Sequence, residues 1–110
     1  IMAHLMNPTQ AADLDQLIDS GEEFQLLDVR EIKEFKSGTI QGAENYPVDE
    51  LREFLEDIPQ DKKTVVFCEV GLRGYVASRI LMQSGFENVY NLIGGMRTYR
   101  LVGKHNVKPQ

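Results

Sequence analysis

The chain has 110 residues, a formal net charge of −5 at pH 7 and 42% hydrophobic residues. These values are typical of a soluble globular protein, and we expect one domain over residues 1–110. The acidic balance argues against general binding to nucleic acid or to anionic membranes, because both need a basic surface. No apolar run is long enough to span a bilayer, and no secretory signal is visible.

The first part of the chain alternates between strand and helix signals. Residues 2–6 form a possible edge strand, and Asn7-Pro8 is typical of a helix start, with Asn7 as the cap. Gly21 is expected to end that helix. The next predicted elements are a strand at 25–29, a short helix at 31–36, a strand at 43–46 and an amphipathic helix from Val48 to near Pro59.

The second part continues the alternation. We expect a central buried strand at 64–68, a helix ended by Gly85, a strand at 89–92 and a last helical segment at 96–101. The polar tail from 103 to 110 is expected to fray, which leaves a core of about residues 5–102. Strands that alternate with helices predict an α/β fold, with a parallel sheet covered by helices on both faces.

Three predicted strand exits carry the candidate functional residues. Cys68, the segment 28–30 and the pair Gly94-Gly95 each follow a strand. The carboxyl ends of parallel strands form the binding edge of such sheets, so we expect these three pieces to converge. Cys68 also lies in a loop that opens a helix, where unpaired N–H groups and the helix dipole favour a thiolate nucleophile.

The cysteine and histidine content limits the disulfides and metal sites that the chain can form. Cys68 is the single cysteine, so no internal disulfide is available, and the histidines, His4 and His105, lie far apart in the sequence. We therefore expect no metal site. A free thiol and the lack of a visible signal favour a cytoplasmic protein.

The chain resembles the rhodanese-like sulfurtransferase family over about residues 5–102. The resemblance rests on the order and spacing of five pieces: Asp28-Val29-Arg30, Glu34-Phe35, the stretch 38–47, Cys68-x-x-Gly71-x-Arg73 and Gly94-Gly95-Met96. It implies a three-layer α/β fold with a five-stranded parallel sheet. It also implies that Cys68 is catalytic and carries sulfane sulfur as a persulfide. The cradle around it would consist of Glu69, Val70, Gly71, Leu72 and Arg73.

Two positions depart from the family pattern. Thr39 stands where many members have histidine, and Tyr99 is the nearest aromatic residue to a frequent tryptophan. Both positions look structural, so the catalytic assignment does not depend on them.

The length of the loop separates sulfur transfer from phosphoryl transfer. Four residues lie between Cys68 and Arg73, whereas the related cysteine phosphatases have five. The shorter ring favours binding of a single sulfur atom over binding of a phosphate. We expect a ping-pong reaction without a metal or organic cofactor, in which a small-molecule donor loads Cys68 and a thiol or cyanide accepts the sulfur.

The loop composition gives an expectation about the donor. Glu69 beside the nucleophile would repel the thiosulfate dianion, while Val70 and Leu72 make the rim partly apolar. Arg73 is the only basic residue of the loop. The sequence therefore predicts poor use of thiosulfate and a preference for thiol persulfides or polysulfides.

Structural interpretations compete with these functional ones. A lone cysteine after an apolar strand is often inert core. Arg73 is interpreted mainly as a loop organiser with a secondary role in substrate binding. Asp28 and Arg30 are interpreted as supports that cap the strand end and pair with nearby charges such as Glu34.

Other functions remain open at this point. The fold is also used for docking or regulatory modules without catalysis, and a cysteine phosphatase or arsenate reductase is disfavoured by loop length. The chain is similar to rhodanese domains fused to coenzyme A-disulfide reductases. That similarity implies a sulfur-relay domain, a fused or separate flavin-dependent reductase as partner, and coenzyme A persulfide as donor.

Overall fold

The computed structural model describes residues 7–109, in which strands and helices alternate along the chain. The strands are β1 (Asn7–Thr9), β2 (Gln25–Asp28), β3 (Thr39–Ile40), β4 (Ala43–Asn45), β5 (Thr64–Phe67), β6 (Val89–Leu92) and β7 (Asn106–Val107). The helices are α1 (Ala11–Ser20), α2 (Ile32–Lys36), α3 (Leu72–Gln83) and α4 (Gly95–Val102), with a 3₁₀ helix at Val48–Asp57.

The main sheet has five strands in the order β1-β6-β5-β2-β4, and each neighbouring pair is parallel. This confirms the predicted sheet. β5 lies at its centre and is buried along its whole length. The carboxyl ends of β2, β5 and β6 therefore meet at one edge of the sheet.

Two apolar layers cover the two faces of the sheet. Leu27 and Val66 pack with α3 and the 3₁₀ helix on one face, whereas Leu26 and Val65 pack with α1 and α4 on the other. The alternation follows from the period of two residues along a strand. Within residues 7–109, no helix combines the length and the apolar character needed to cross a membrane.

The predicted helix start at Asn7-Pro8 is wrong. These residues belong to β1, which pairs with β6 alone, and α1 begins only at Ala11. Pro8 is compatible with this position, because an edge strand does not need every backbone N–H for pairing. Gly21 ends α1 with a φ of 75°, as predicted. The strand proposed for residues 2–6 lies outside the described residues.

The predicted amphipathic helix after β4 is present as a 3₁₀ helix. Val48, Leu51 and Phe54 recur every third residue, which is the period of a 3₁₀ helix. Leu51 is fully buried in the layer formed with α3. This spacing is compatible with the tighter helix that the structure shows.

The expectation of a frayed tail is wrong for residues 103–107. β7 pairs antiparallel with β3, a short strand that the sequence did not predict. The N–H of Lys104 donates to Asp15 Oδ2 at 3.0 Å, and the N–H of His105 donates to the Tyr99 hydroxyl at 2.9 Å. The tail is held by groups on α1 and α4, so its polar composition alone did not reveal its order.

Candidate active site

Cys68 lies directly after β5 at the carboxyl edge of the sheet. It is 2% exposed, and residues 69–71 connect it to the first turn of α3. Val29 and Val66 belong to the same buried cluster. Cys68 thus follows a buried strand and begins a short loop that ends at a helix N-terminus, the arrangement that the sequence predicts.

The loop after Cys68 has backbone donors without acceptors. Among residues 7–109, no carbonyl or side-chain oxygen accepts a hydrogen bond from the N–H groups of residues 69–74. The loop carbonyls are engaged instead: Met96 N–H donates to Cys68 O at 2.8 Å, and Arg97 N–H donates to Glu69 O at 2.9 Å. The loop therefore retains a set of donors for an anionic ligand.

Gly95 allows α4 to approach the loop this closely. A Cβ at this position would overlap the carbonyl oxygens of Cys68 and Glu69, and the backbone has a φ of 56°. Only glycine fits both demands at low cost. The Gly94-Gly95 pair thus belongs to the site through backbone contact with the cysteine loop.

Arg30 lies under the loop in a buried network. Its side chain is 1% exposed and donates to both carboxylate oxygens of Asp28, at 3.0 and 2.8 Å. It also donates to Gly38 O at 2.7 Å and to Glu69 Oε1 at 3.2 Å. Asp28 accepts a further bond from the Thr39 hydroxyl at 2.8 Å. The network ties the ends of β2 and β3 to the first residue after Cys68.

The expected pairing of Arg30 with Glu34 is wrong, because Glu34 binds Arg73. Arg73 Nη1 and Nη2 donate to the two carboxylate oxygens of Glu34 at 2.6 and 3.0 Å. This hydrogen bonding lowers the pKa of Glu34 from 4.5 to about 2, against a smaller opposing effect of burial. The guanidinium of Arg73 fastens the start of α3 to α2, which is the organising role favoured from the sequence.

Glu69 does not present a free carboxylate to Cys68. Its oxygens accept from Arg100 Nη1 and Nη2 at 2.9 and 3.0 Å, in addition to the bond from Arg30. The hydrogen bond from Arg100 is the main cause that holds the pKa of Glu69 below its usual value. The expectation that this carboxylate repels anionic donors is therefore corrected, because its charge is compensated.

Arg100 was not among the site residues predicted from the sequence. One signal was present: Arg100 follows Met96 by four residues and Arg97 by three, so it lies on the helix face that meets the loop. The loop motif alone could not indicate a partner that lies 31 residues further along the chain.

The rim of the site has apolar and accessible parts. Val70 is 58% exposed and Leu72 is 75% exposed. Beside them lies a groove of about 360 Å³ between α3 and the 3₁₀ helix, lined by Val48, Asp49, Arg52, Leu72, Arg73, Val76 and Ile80. A bulky apolar or mixed group can therefore approach the loop from this side.

Comparisons with known proteins agree with this geometry. Residues 10–101 match the rhodanese-like domain family. The chain is 31% identical over 106 residues to a sulfurtransferase of Allochromatium vinosum, covering 96% of this chain and 99% of that protein. It spans only 45% and 60% of the length of two further curated relatives.

Two solved structures of larger proteins contain a similar domain. The reduced CoADR-RHD protein of Bacillus anthracis is 42% identical, with a TM-score of 0.78, over 86% of this chain and 16% of that protein. An NAD-dependent persulfide reductase from A. fulgidus is 43% identical, with a TM-score of 0.67, over 83% of this chain and 15% of that protein. With the family match across most of its length, the chain belongs to the rhodanese-like family.

Proposed function

We propose that this chain is a sulfurtransferase in which Cys68 carries the sulfur as a persulfide. The observation that carries the proposal is the loop at residues 69–74, whose N–H groups have no acceptor among the described residues. A terminal persulfide sulfur is an anion, and these donors together with the N-terminus of α3 would stabilise it. The similarity to the A. vinosum sulfurtransferase supports the same reaction class.

The reaction proceeds in two steps. The Cys68 thiolate attacks the outer sulfur of the donor, a new S–S bond forms, and the donor's own sulfur bond breaks. The leaving group is a thiolate when the donor is a thiol persulfide, and it is sulfite when the donor is thiosulfate. In the second step an acceptor thiolate or cyanide attacks the outer sulfur and releases the Cys68 thiolate. No electrons are gained or lost overall, so the transfer needs no redox cofactor.

We propose thiol persulfides as the preferred donors, on grounds that differ from those of the sequence. Three arginines near the loop are each committed to a carboxylate: Arg30 to Asp28, Arg73 to Glu34 and Arg100 to Glu69. These pairs leave little positive charge to attract the thiosulfate dianion. The exposed apolar rim and the adjacent groove suit the organic part of a persulfide.

Thiocyanate formation in the presence of cyanide tests this function. Wild-type protein should produce thiocyanate with glutathione persulfide at a higher kcat/KM than with thiosulfate, and Cys68→Ser should produce none above background. Comparable kcat/KM values for the two donors would contradict the donor preference. Hydrolysis of p-nitrophenyl phosphate without any sulfur transfer would instead favour a cysteine phosphatase.

A sulfur-relay role is the second candidate, favoured by the two reductase structures that contain a similar domain. In this role the chain passes its sulfur to a fused or separate flavin-dependent reductase, which reduces the persulfide to a thiol and hydrosulfide with two electrons from NADH. Coenzyme A persulfide would be the donor. Persulfidated protein should then sustain NADH oxidation by such a reductase, and Cys68→Ser should not. A docking module without catalysis would bind the reductase and show no dependence on Cys68.

A further inference from the structure

Glu69, the residue after Cys68, is bound from two sides. Arg100 holds both of its carboxylate oxygens in a bidentate pair at 2.9 and 3.0 Å, and Arg30 reaches one of them at 3.2 Å. Bidentate guanidinium–carboxylate pairs are geometrically specific as well as strong. The orientation of this carboxylate relative to the cysteine loop is therefore fixed by its partners.

The two arginines make different contributions. Arg30 is buried and donates two hydrogen bonds to Asp28, which is also buried, so those two charges compensate each other. Arg100 has no such second carboxylate among residues 7–109. Arg100 is thus the group that balances the charge of Glu69.

Helix α4 also holds the same two loop residues through its backbone. The N–H groups of Met96 and Arg97 donate to the carbonyls of Cys68 and Glu69. Arg100 lies one turn further on the same helix face. Backbone and side-chain contacts from one helix therefore act together on the residues where a donor must arrive.

We infer that Arg100 is a specificity-determining residue, because it shields Cys68 and an incoming sulfur donor from the charge of Glu69. This inference rests on the proposed sulfurtransferase function. Without Arg100, the carboxylate of Glu69, the residue after Cys68, keeps only the 3.2 Å bond from Arg30, whose charge Asp28 already balances. It repels doubly charged thiosulfate more strongly than a singly charged thiol persulfide, so the selectivity of the site changes.

Alkylation of Cys68 measures this charge independently of sulfur transfer. Iodoacetate and iodoacetamide have similar sizes, but only iodoacetate is an anion. In Arg100→Gln the ratio of the iodoacetate rate to the iodoacetamide rate should fall about fivefold, as expected for one uncompensated charge nearby. Adding Glu69→Gln should restore the ratio.

Arg79→Gln is the matched control. Arg79 is exposed on α3 and bonds the Tyr75 hydroxyl at 3.0 Å, so this variant has the same change in net charge without touching the loop. Its rate ratio should equal that of the wild type. An unchanged ratio in Arg100→Gln, or a fall of equal size in Arg79→Gln, would overturn the inference.

Donor selectivity gives the functional readout. In Arg100→Gln, kcat/KM for thiosulfate should fall several-fold more than kcat/KM for the persulfide of 2-mercaptoethanol. Adding Glu69→Gln to this variant should remove the difference. Equal losses that Glu69→Gln does not rescue would indicate a merely structural role and overturn the inference. A wild type that is alkylated but never accepts sulfur would contradict the proposed function, and a thiol that reacts with neither reagent would contradict both.

Discussion

The two ends of α4 contact two polar networks, and these differ in whether their backbone N–H groups have acceptors. At its N-terminus, α4 supports the cysteine loop, where the N–H groups of residues 69–74 have no acceptor among residues 7–109. At its C-terminus, the N–H groups of Gly103, Lys104 and His105 all have acceptors, supplied by Tyr99 and Asp15. The network at the tail, in which every one of these donors has an acceptor, holds the tail in place. The network at the cysteine loop keeps its donors for a ligand.

The two networks also differ in the partners of their charged groups. The loop is surrounded by guanidinium–carboxylate pairs, of which Arg30 and Asp28 are the buried members. Near the tail, the buried carboxylate of Asp15 accepts from the Tyr99 hydroxyl and from a backbone N–H. Burial first, and the bond to Asp15 second, raise the pKa of Tyr99 well above its usual value. This contrast predicts that changes near the tail affect stability alone, while changes near the loop also affect reactivity.

The largest effect is expected from Arg30→Met. Removing the guanidinium leaves the fully buried Asp28 without its cation, which should destabilise the fold by about 3–5 kcal/mol. Urea denaturation measures this change. Asp28→Asn combined with Arg30→Met should recover part of the loss, because no unpaired charge remains. A single variant within 1 kcal/mol of the wild type would show that the network does not support the loop edge.

Gly95→Ala should have the next largest effect. The new Cβ would overlap the carbonyls of Cys68 and Glu69 and would occupy a left-handed backbone, at a cost of about 3 kcal/mol. Sulfur transfer should fall as the loop shifts. Gly21→Ala is the control, since its φ is 75° but no atom lies within 4 Å of its Cβ position. It should cost only about 1 kcal/mol, and equal losses in both variants would contradict a close approach at Gly95.

Tyr99→Phe should separate stability from reactivity. The variant removes the hydroxyl that donates to Asp15 and accepts from His105 N–H, so the free energy of unfolding should fall by about 1–3 kcal/mol. Below its unfolding temperature, its rate of sulfur transfer should match the wild type. Tyr75→Phe, at an exposed position, should change neither quantity. A loss of activity in folded Tyr99→Phe would mean that the two networks are coupled.

The smallest effect concerns Glu34 and pH. Its folded-state pKa of about 2 lies below its ordinary value of 4.5, so its pair with Arg73 stabilises the fold above pH 4.5 and loses this contribution as the pH falls toward 2. The carboxylate is 33% exposed, so Glu34→Gln should cost no more than about 1 kcal/mol at pH 7.

The stability difference between Glu34→Gln and the wild type should shrink across that acidic range. Chemical denaturation at several pH values measures it. Glu53→Gln provides the control, because Glu53 is exposed and takes part in no ion pair among residues 7–109. A difference that stays constant from pH 7 to pH 2 would contradict the assignment to the ionised pair.

The sequence predicted the sheet and most of the elements that form the site, because strands buried on both faces and helices with apolar stripes have clear periods. It did not predict contacts between residues that lie far apart in the sequence. The tail was expected to fray because its order depends on Asp15 and Tyr99, which its own composition does not show. Asn7-Pro8 resembles a helix start, yet pairing with β6 makes it an edge strand.

In the site, too, local features were predicted from the sequence and long-range contacts were not. The position of Cys68 after β5 and the convergence of the strand ends followed from local patterns. The partners of the charged residues did not, since Glu34 was expected near Arg30 and Arg100 was not considered. Ion pairs between residues 31 or 39 positions apart depend on the packing of α4 and α2 against the loop. That packing is a tertiary property.

Intact mass spectrometry after incubation with glutathione persulfide shows whether Cys68 carries sulfur. The wild type should gain the mass of one sulfur atom and lose it again on addition of cyanide, while Cys68→Ser should gain nothing. A reduced wild-type protein that gains no sulfur from glutathione persulfide, polysulfide or thiosulfate would contradict the account, and so would a Cys68→Ser variant that gains as much as the wild type.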